Sequence, residues 1–460
     1  MPPQAPWHRI PWREYRHVLA LAAPVILANI SNNLLALADT LMVGSLGTTE
    51  LAAVGYGLLL VFLIYGFPIG LISIGNAFAA QFFGAGRGAD CRRLVRLALW
   101  LGLAAGLGAA ALSWASDGLM VLLGIEPEIR RQAFLYVSRR ALGAPFLFVV
   151  VGWANVLNGL GHVRTPMALT VLANAMNIGL NYLLIFGHGG FPAMGIEGAA
   201  LATAASNLVS FLMFAAILKW RPPAVLRPPH GAGERPDRSF AREFFRVGLP
   251  NGVYVLLDIG GLFAFSTIVE WIGVTALAIN QVPVRVMALS YMFNLGLSIA
   301  ATTLVGQAAG AGRPAAVSRS ARLALQLSTG VLVALSLTYL LAREPIVRAF
   351  SLEAALVAPA AAMVSLMVVF HFFDGLTIVL YGCLKGLGDT RFPTLVYMAG
   401  QWLLALPLAW ALALPAGLGL PGAWAALILE MAATGLVFWL RFRHLERQPG
   451  RWPLSAGAVR

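Results

Sequence analysis

Long apolar stretches follow one another along almost the whole chain, separated by short polar turns. They fall at 17–41, 52–80, 93–116, 131–157, 166–187, 195–219, 242–269, 276–308, 317–341, 355–384, 393–414 and 421–442. A helix rises about 1.5 Å per residue, so each stretch can cross a hydrocarbon layer of about 30 Å. The pattern predicts an all-α membrane protein with about 12 transmembrane helices.

The polar turns alternate in charge. Arg9, Arg13 and Arg16 precede the first stretch; Arg87, Arg92, Arg93 and Arg96 follow the second; Arg164 follows the fourth. Lys219, Arg221, Arg227, Arg235, Arg238, Arg242 and Arg246 fill the centre, and Arg313, Arg319, Arg322, Lys385, Arg391, Arg441, Arg443 and Arg447 continue the series. The alternate turns Gly44–Glu50, Gly187–Glu197 and Pro415–Leu420 have neither Lys nor Arg. Arg130, Arg131, Arg343 and Arg348 run against the trend and are outnumbered. Basic loops stay in the cytoplasm, which predicts cytoplasmic N- and C-termini and a cell inner (plasma) membrane location. The N-terminal run MPPQAPWHRIPWREY reads as a basic lead-in, not a cleavable signal.

The same landmarks occur twice. Gln81-x-x-Gly84-Ala85-Gly86-Arg87 returns as Gln307-x-x-Gly310-Ala311-Gly312-Arg313, 226 residues later. Gly159-Leu160-Gly161 returns as Gly386-Leu387-Gly388, 227 later, and Pro24 and Leu51-Ala52 return as Pro250 and Leu277-Ala278, 226 later. A parallel duplication with an even number of helices per half is a transporter plan. It divides the chain into a first lobe at 1–220, a linker at 221–241, a second lobe at 242–445 and a tail at 446–460.

Composition narrows the function. With 59% hydrophobic and 11% charged residues among 460, a soluble globular domain is excluded. The net charge of +13 is spread over loops, which fits membrane orientation and not nucleic acid. Cys91 and Cys383 have no ligand spacing, and no nucleotide-binding, zinc or nucleophile motif occurs. Neither an enzyme nor a bound cofactor is expected. The expected partners are the bilayer and small amphipathic or cationic molecules, with the chain acting as a monomer.

Charged and amide groups inside spans carry the remaining information, because a charge at the bilayer centre costs about 2.5–3.5 kcal/mol or more. The acids are Asp39, Asp258, Asp374 and Glu430. Asn174, Asn177 and Asn181 are spaced i, i+3 and i+7, so they share one helix face. With a carboxylate and the Thr203 hydroxyl they form an oxygen pocket suited to a hard cation; interhelical hydrogen bonding is the plainer use of such amides. A constant offset puts Gln401, Leu404 and Leu408 opposite the three asparagines, so the second half lacks the stripe. Pro24 removes one backbone hydrogen bond upstream of Asp39 and can bend that helix. Glu430 suits a polar helix contact, Arg285 either an ion pair or an outward reach, and Arg139 and Arg140 are expected to extend to the outer interface.

Taken together, Pro24…Asp39-Thr40-Leu41-Met42-Val43-Gly44, the paired Gln-x-x-Gly-Ala-Gly segments, Asn177-Ile178-x-Leu180-Asn181-Tyr182, Gly198-Ala199-Ala200-x-Ala202-Thr203 and Gly386-Leu387-Gly388-Asp389-Thr390 resemble the multidrug and toxic compound extrusion family. The resemblance runs through essentially all spans. It implies two pseudo-symmetric six-helix bundles around a central cavity, alternating access, and export of organic cations in exchange for Na⁺ or H⁺. It also makes Asp39, Asn177, Asn181 and Thr203 the cation-coupling set, with Asn174 continuing their face, and Asp258 and Asp374 the acids of the substrate cavity. Asp258 stands where sodium-coupled members usually carry Glu. The alternative is a flippase for a lipid-linked or polysaccharide precursor, which needs a cationic cavity; here the deep charges are mostly acidic.

Overall fold

The computed structural model describes residues 11–122, 124–227, 238–350, 353–448 and 452. Arg9, Arg235 with residues 228–237 of the expected 221–241 linker, and the expected tail from 449 onward apart from Trp452 lie outside the described residues. No strand occurs among the described residues. The first lobe contains α1 (Trp12–Gly44), α2 (Thr48–Ser73), α3 (Gly75–Gly84), α4 (Gly88–Trp114), α5 (Ser116–Leu122), α6 (Pro127–Ala141), α7 (Ala144–Gly159), α8 (Arg164–Phe186) and α9 (Gly195–Trp220). The second contains α10 (Arg238–Ile272), α11 (Val274–Gly310), α12 (Pro314–Leu341), α13 (Arg343–Arg348), α14 (Ala354–Gly386), α15 (Arg391–Met398), α16 (Leu406–Ala413) and α17 (Gly419–Glu446). Among the described residues, eleven helical runs are long and apolar enough to span a membrane, twelve when α6 and α7 count as one bent span.

Three expected spans are interrupted, each for a local reason. The second breaks at Ile74, where Ser73 Oγ donates to the Gly70 carbonyl (2.9 Å) and competes with the helix ladder. The fourth bends by 53° between α6 and α7, with Gly143 at the break and Pro145, which has no N–H, just after it. The eleventh widens into a π-helical turn over Ala399–Ala405, just before Pro407, which offers no N–H to the Leu403 carbonyl.

The buried faces of the two halves are not matched by the 227 spacing of Pro166 and Pro393. Asn177, Asn181 and Ile185 are buried on α8, whereas Leu404 is exposed; in and beyond the wide turn the buried positions are Gln401, Ala405, Leu406, Ala409 and Ala413. By burial, Ala405 and Ala409 occupy the face that Asn177 and Asn181 hold in the first lobe, and the second lobe lacks the amide stripe.

The lobes are joined by exchange. Val18, Leu21, Ala22 and Val25 of α1 pack into a cluster otherwise built mainly from α11, α12, α14 and α17, while Phe240, Phe244 and Val247 of α10 pack into the first-lobe core. Each lobe's first helix thus begins against the other lobe.

The repeated motifs meet across this seam. Gln81 Nε2 donates to the Gly386 carbonyl (2.7 Å), and Gln307 Nε2 donates to the Gly159 carbonyl (2.9 Å). A Cβ on Gly84 would lie 2.1 Å from the Gln307 carbonyl oxygen, and one on Gly310 2.0 Å from that of Gln81, so only glycine lets α3 and α11 approach this closely. The second glycine of each motif closes a helix: Gly86, Gly161, Gly312 and Gly388 have φ of 71°, 81°, 64° and 84°. After each, the next N–H returns to a carbonyl five residues back, from Arg87 to Phe82 (2.8 Å), His162 to Leu157 (2.9 Å), Arg313 to Ala308 (3.0 Å) and Asp389 to Leu384 (3.0 Å). Thr303 Oγ1 to Asn76 Oδ1 (3.0 Å), Lys385 Nζ to Ser73 Oγ (3.0 Å), and Asn251 to the Gly70 carbonyl extend the polar seam at this basic-loop end.

Candidate functional site

The first-lobe site forms where α8 lies between α1 and α9. Small residues bring α9 in: a Cβ on Gly198 would sit 2.5 Å from the Leu184 carbonyl. Asn181 is fully buried, and its Nδ2 donates both to Asp39 Oδ1 and to Asn177 Oδ1, the latter at 3.0 Å. Asp39, Asn177 and Asn181 are therefore one connected group. Asn174 is not part of it. Its amide donates to Ser31 Oγ (3.0 Å) and Asn32 Oδ1 (2.9 Å), further back along α1. Thr203 is buried on α9, and its hydroxyl donates to the Ala199 carbonyl of its own helix (3.1 Å), not to the group. One acceptor, Asn181 Oδ1, is buried without a partner. Pro24 lies within an unbroken α1, where α11 crosses: a Cβ on Gly296 would meet Ile26 Cγ1 at 2.4 Å and the Ala22 carbonyl at 3.3 Å.

Arg140 is the residue that sequence reasoning placed wrongly. Arg139 does reach the end of the bundle and pairs with Glu197 (2.5 Å). Arg140 turns inward, donates to the Tyr136 hydroxyl (2.9 Å) and stands within electrostatic reach of Asp39 and Tyr65. Adjacent positions of a helix differ by about 100° in direction, so Arg139 and Arg140 leave α6 toward different surroundings. The sequence signal was the pair Tyr136 and Arg140 at i, i+4, followed at once by Gly143 and Pro145. Gly57 on α2 makes the room, since a Cβ there would meet Tyr136 Cδ1 at 2.7 Å.

The second-lobe acids have different company. Asp258 on α10 accepts from the Tyr397 hydroxyl (2.6 Å). Asp374 on α14 is half-buried and within electrostatic reach of Asp258. Tyr254 stacks on Tyr381 (centroids 4.3 Å apart) and leans on Tyr397 (4.5 Å), and Tyr291 faces both acids. Two acids amid aromatic faces favour a cation with an apolar body, through charge and through ring quadrupoles. Glu430 is fully buried, and Arg285 is exposed on α11.

Two fused helical repeats, each enclosing its own polar cluster within membrane-spanning helices, define a multi-pass membrane transporter. Comparison with known proteins makes the class particular. The MatE family profile matches residues 24–183 and 250–411, one copy per lobe beginning at Pro24 and at Pro250, and the chain belongs to this multidrug and toxic compound extrusion family. It is 32% identical over 451 residues to the probable multidrug resistance protein NorM of Xanthomonas campestris pv. campestris, covering 97% of this chain and 96% of that protein. It is 29% identical to the multidrug resistance protein PmpM of Pseudomonas aeruginosa, over 95% of this chain and 92% of that one. The fold matches that of an outward-facing multidrug resistance MATE family transporter with a TM-score of 0.88 at 21% identity, over 95% of this chain and 97% of that chain. The eukaryotic MATE transporter AtDTX14 gives 0.82 at 19% identity, over 95% and 98%.

Proposed function

We propose that this protein is a multidrug efflux antiporter of a bacterial inner membrane, with its basic loops in the cytoplasm. It exports amphipathic organic cations by alternating access in exchange for a monovalent cation bound at Asp39. The observation that carries the reading is the pair Asp258 and Asp374, set beside the Tyr254, Tyr381 and Tyr397 cluster, neither of them salt-bridged to an arginine or lysine among the described residues. A flippase for an anionic precursor would need the opposite charge there. The multidrug resistance names of NorM and PmpM support the same class of substrate.

Of the two coupling ions, the proton fits the first-lobe residues better than Na⁺. A sodium ion needs several free oxygens. Asn177 Oδ1 already accepts from Asn181, the Thr203 hydroxyl serves its own helix, and Arg140 opposes a second fixed positive charge. A proton neutralises Asp39 directly and ends its ionic attraction to Arg140. Charging and discharging Asp39 then changes which arrangement of α1 and α8 is favoured, and only such a differential interaction can shift the inward–outward equilibrium.

The test is accumulation of a cationic dye within inside-out vesicles, where the cytoplasmic face points outward, with pH and Na⁺ gradients imposed separately. Transport driven by the pH gradient alone, and lost in Asp39→Asn while the protein still inserts, is expected. Accumulation driven only by Na⁺ would reject the proton, and full accumulation by Asp39→Asn would reject the site.

A further inference from the structure

α17 carries one acid into the second lobe that forms no salt bridge among the described residues. Glu430 is 0% exposed; its Oε1 accepts from Thr434 Oγ1 (2.6 Å), and its Oε2 is buried without a partner. The opposite wall is shaped around this carboxyl. Gly400 lies in the π turn, and a Cβ there would stand 2.5 Å from Glu430 Oε1 and 3.0 Å from Thr434 Oγ1. Wide turns of this kind concentrate at functional sites. One helical strip therefore touches two acids from positions three residues apart on itself, Asp258 through Tyr397 and Glu430 through Gly400.

The ionisable groups around Glu430 come from every neighbouring helix. Asp258 on α10, Asp374 on α14 and Tyr397 on α15 are its electrostatic neighbours, and Tyr291 on α11 faces the two aspartates. His371, one turn before Asp374, is buried with both ring nitrogens unpartnered. The basic residues of the lobe that could approach are engaged or turned away: Arg441 of the same helix pairs with Asp389 (2.8 Å), Lys385 bonds Ser73 of the first lobe, and Arg285 is exposed. Three carboxyl groups gathered in an apolar interior without a cation cannot all be charged, since each buried ion loses hydration and like charges add to the cost. Asp258 and Asp374 are each partly exposed. Glu430 is sealed.

We propose that Glu430 is a proton-binding site of the second lobe, separate from Asp39, which gives up its proton when a cation occupies the Asp258–Asp374 pair and regains it when the cation leaves. The inference rests on the reading of that pair as the substrate acids. The proton balance is simple: the carboxylic acid becomes carboxylate, one proton goes to solvent, and the arriving cation keeps the cluster's charge constant. Substrate export would then carry a proton linkage additional to that of Asp39.

The test uses the full chain in lipid nanodiscs with tetraphenylphosphonium as the cation. Protons released on binding are counted with a pH indicator in weak buffer, and Kd is followed across pH. In the parent protein, binding is expected to release protons and to tighten as pH rises, by up to about tenfold per pH unit for each proton linked. Glu430→Gln should still bind, with fewer protons released and a flatter pH dependence. Gly400→Ala, which keeps the carboxyl but crowds Oε1, should displace the midpoint of that dependence. Unchanged proton release in Glu430→Gln overturns the proposal, as does release that survives there and vanishes in Asp39→Asn. If Glu430→Gln does not fold, Gly400→Ala decides, and an unmoved midpoint overturns it. Failure of the underlying reading is distinguishable, because Asp374→Asn would then bind the cation as the parent does.

Discussion

Gly310→Ala should open the seam at the basic-loop end. The added Cβ would stand 2.0 Å from the Gln81 carbonyl oxygen and 2.7 Å and 2.8 Å from its carbonyl carbon and Cα. All three are backbone atoms, which cannot rotate aside, so α3 and α11 must separate by more than an ångström. Such overpacking costs about 1–3 kcal/mol. The bonds from Gln81 to Gly386 and from Gln307 to Gly159 leave the same two helices at 2.7 Å and 2.9 Å, and the separation breaks both. At about 1 kcal/mol net apiece, the total disfavours the closed seam by about 3–5 kcal/mol. At about 1.4 kcal/mol per tenfold, the closed form loses roughly a hundredfold to a few thousandfold in population. A thiol at the seam reads this out. Ser73→Cys is close to isosteric, and Cys91 and Cys383, both buried, can be replaced by alanine in the background. If only the opened form reacts, labelling by a water-soluble maleimide should accelerate by a comparable factor. Gly108→Ala, which meets nothing within 4 Å, is the control. Labelling of Gly310→Ala within about twofold of the parent, well below the predicted shift, would refute the reasoning.

Other substitutions test the sites separately. Asp374→Asn should weaken binding of a cationic dye by about tenfold or more, the effect of losing one partly buried charge partner of about 1.5–3 kcal/mol, and leave a neutral dye nearly unaffected; equal loss for both would indicate a folding defect. Asn181→Ala removes the donor to Asp39 and should alter the pH dependence of efflux, whereas Asn174→Ala should cost about 1–2 kcal/mol of stability without altering it; comparison of efflux pH profiles with thermal melting separates the two. A cysteine at Ala224, in the short turn after α9, should be labelled by an impermeant reagent only from the cytoplasmic side, and ready labelling of intact cells would reverse the orientation.

Long apolar runs and repeated motifs made the helical plan and the duplication readable in the sequence, because hydrophobic length and glycine placement are local properties. The face shared by Asn177 and Asn181 was readable for the same reason. What neighbouring helices contribute was not. Asn174 shares that face yet serves Ser31 and Asn32, a matter of where α1 lies. Arg140 points inward while its neighbour Arg139 reaches Glu197, a matter of what packs around α6, and the partners of Gln81 and Gln307 lie in the opposite lobe. The buried face of the span holding Ala399–Ala405 does not follow the constant offset, and that packing is not a local property of the sequence.

The crossed contacts of the seam have an evolutionary corollary. Donor in one lobe meets acceptor in the other, and the reverse pairing repeats it, which is the isologous contact made by two identical subunits about a twofold axis. A single ancestral half would have carried both sides of this joint on one surface and could have dimerised through it. Fusion keeps the joint under constraint, because both copies of the motif must still fit each other, but it releases the interiors. One half could then keep its asparagines around a lone aspartate while the other gathered three acids.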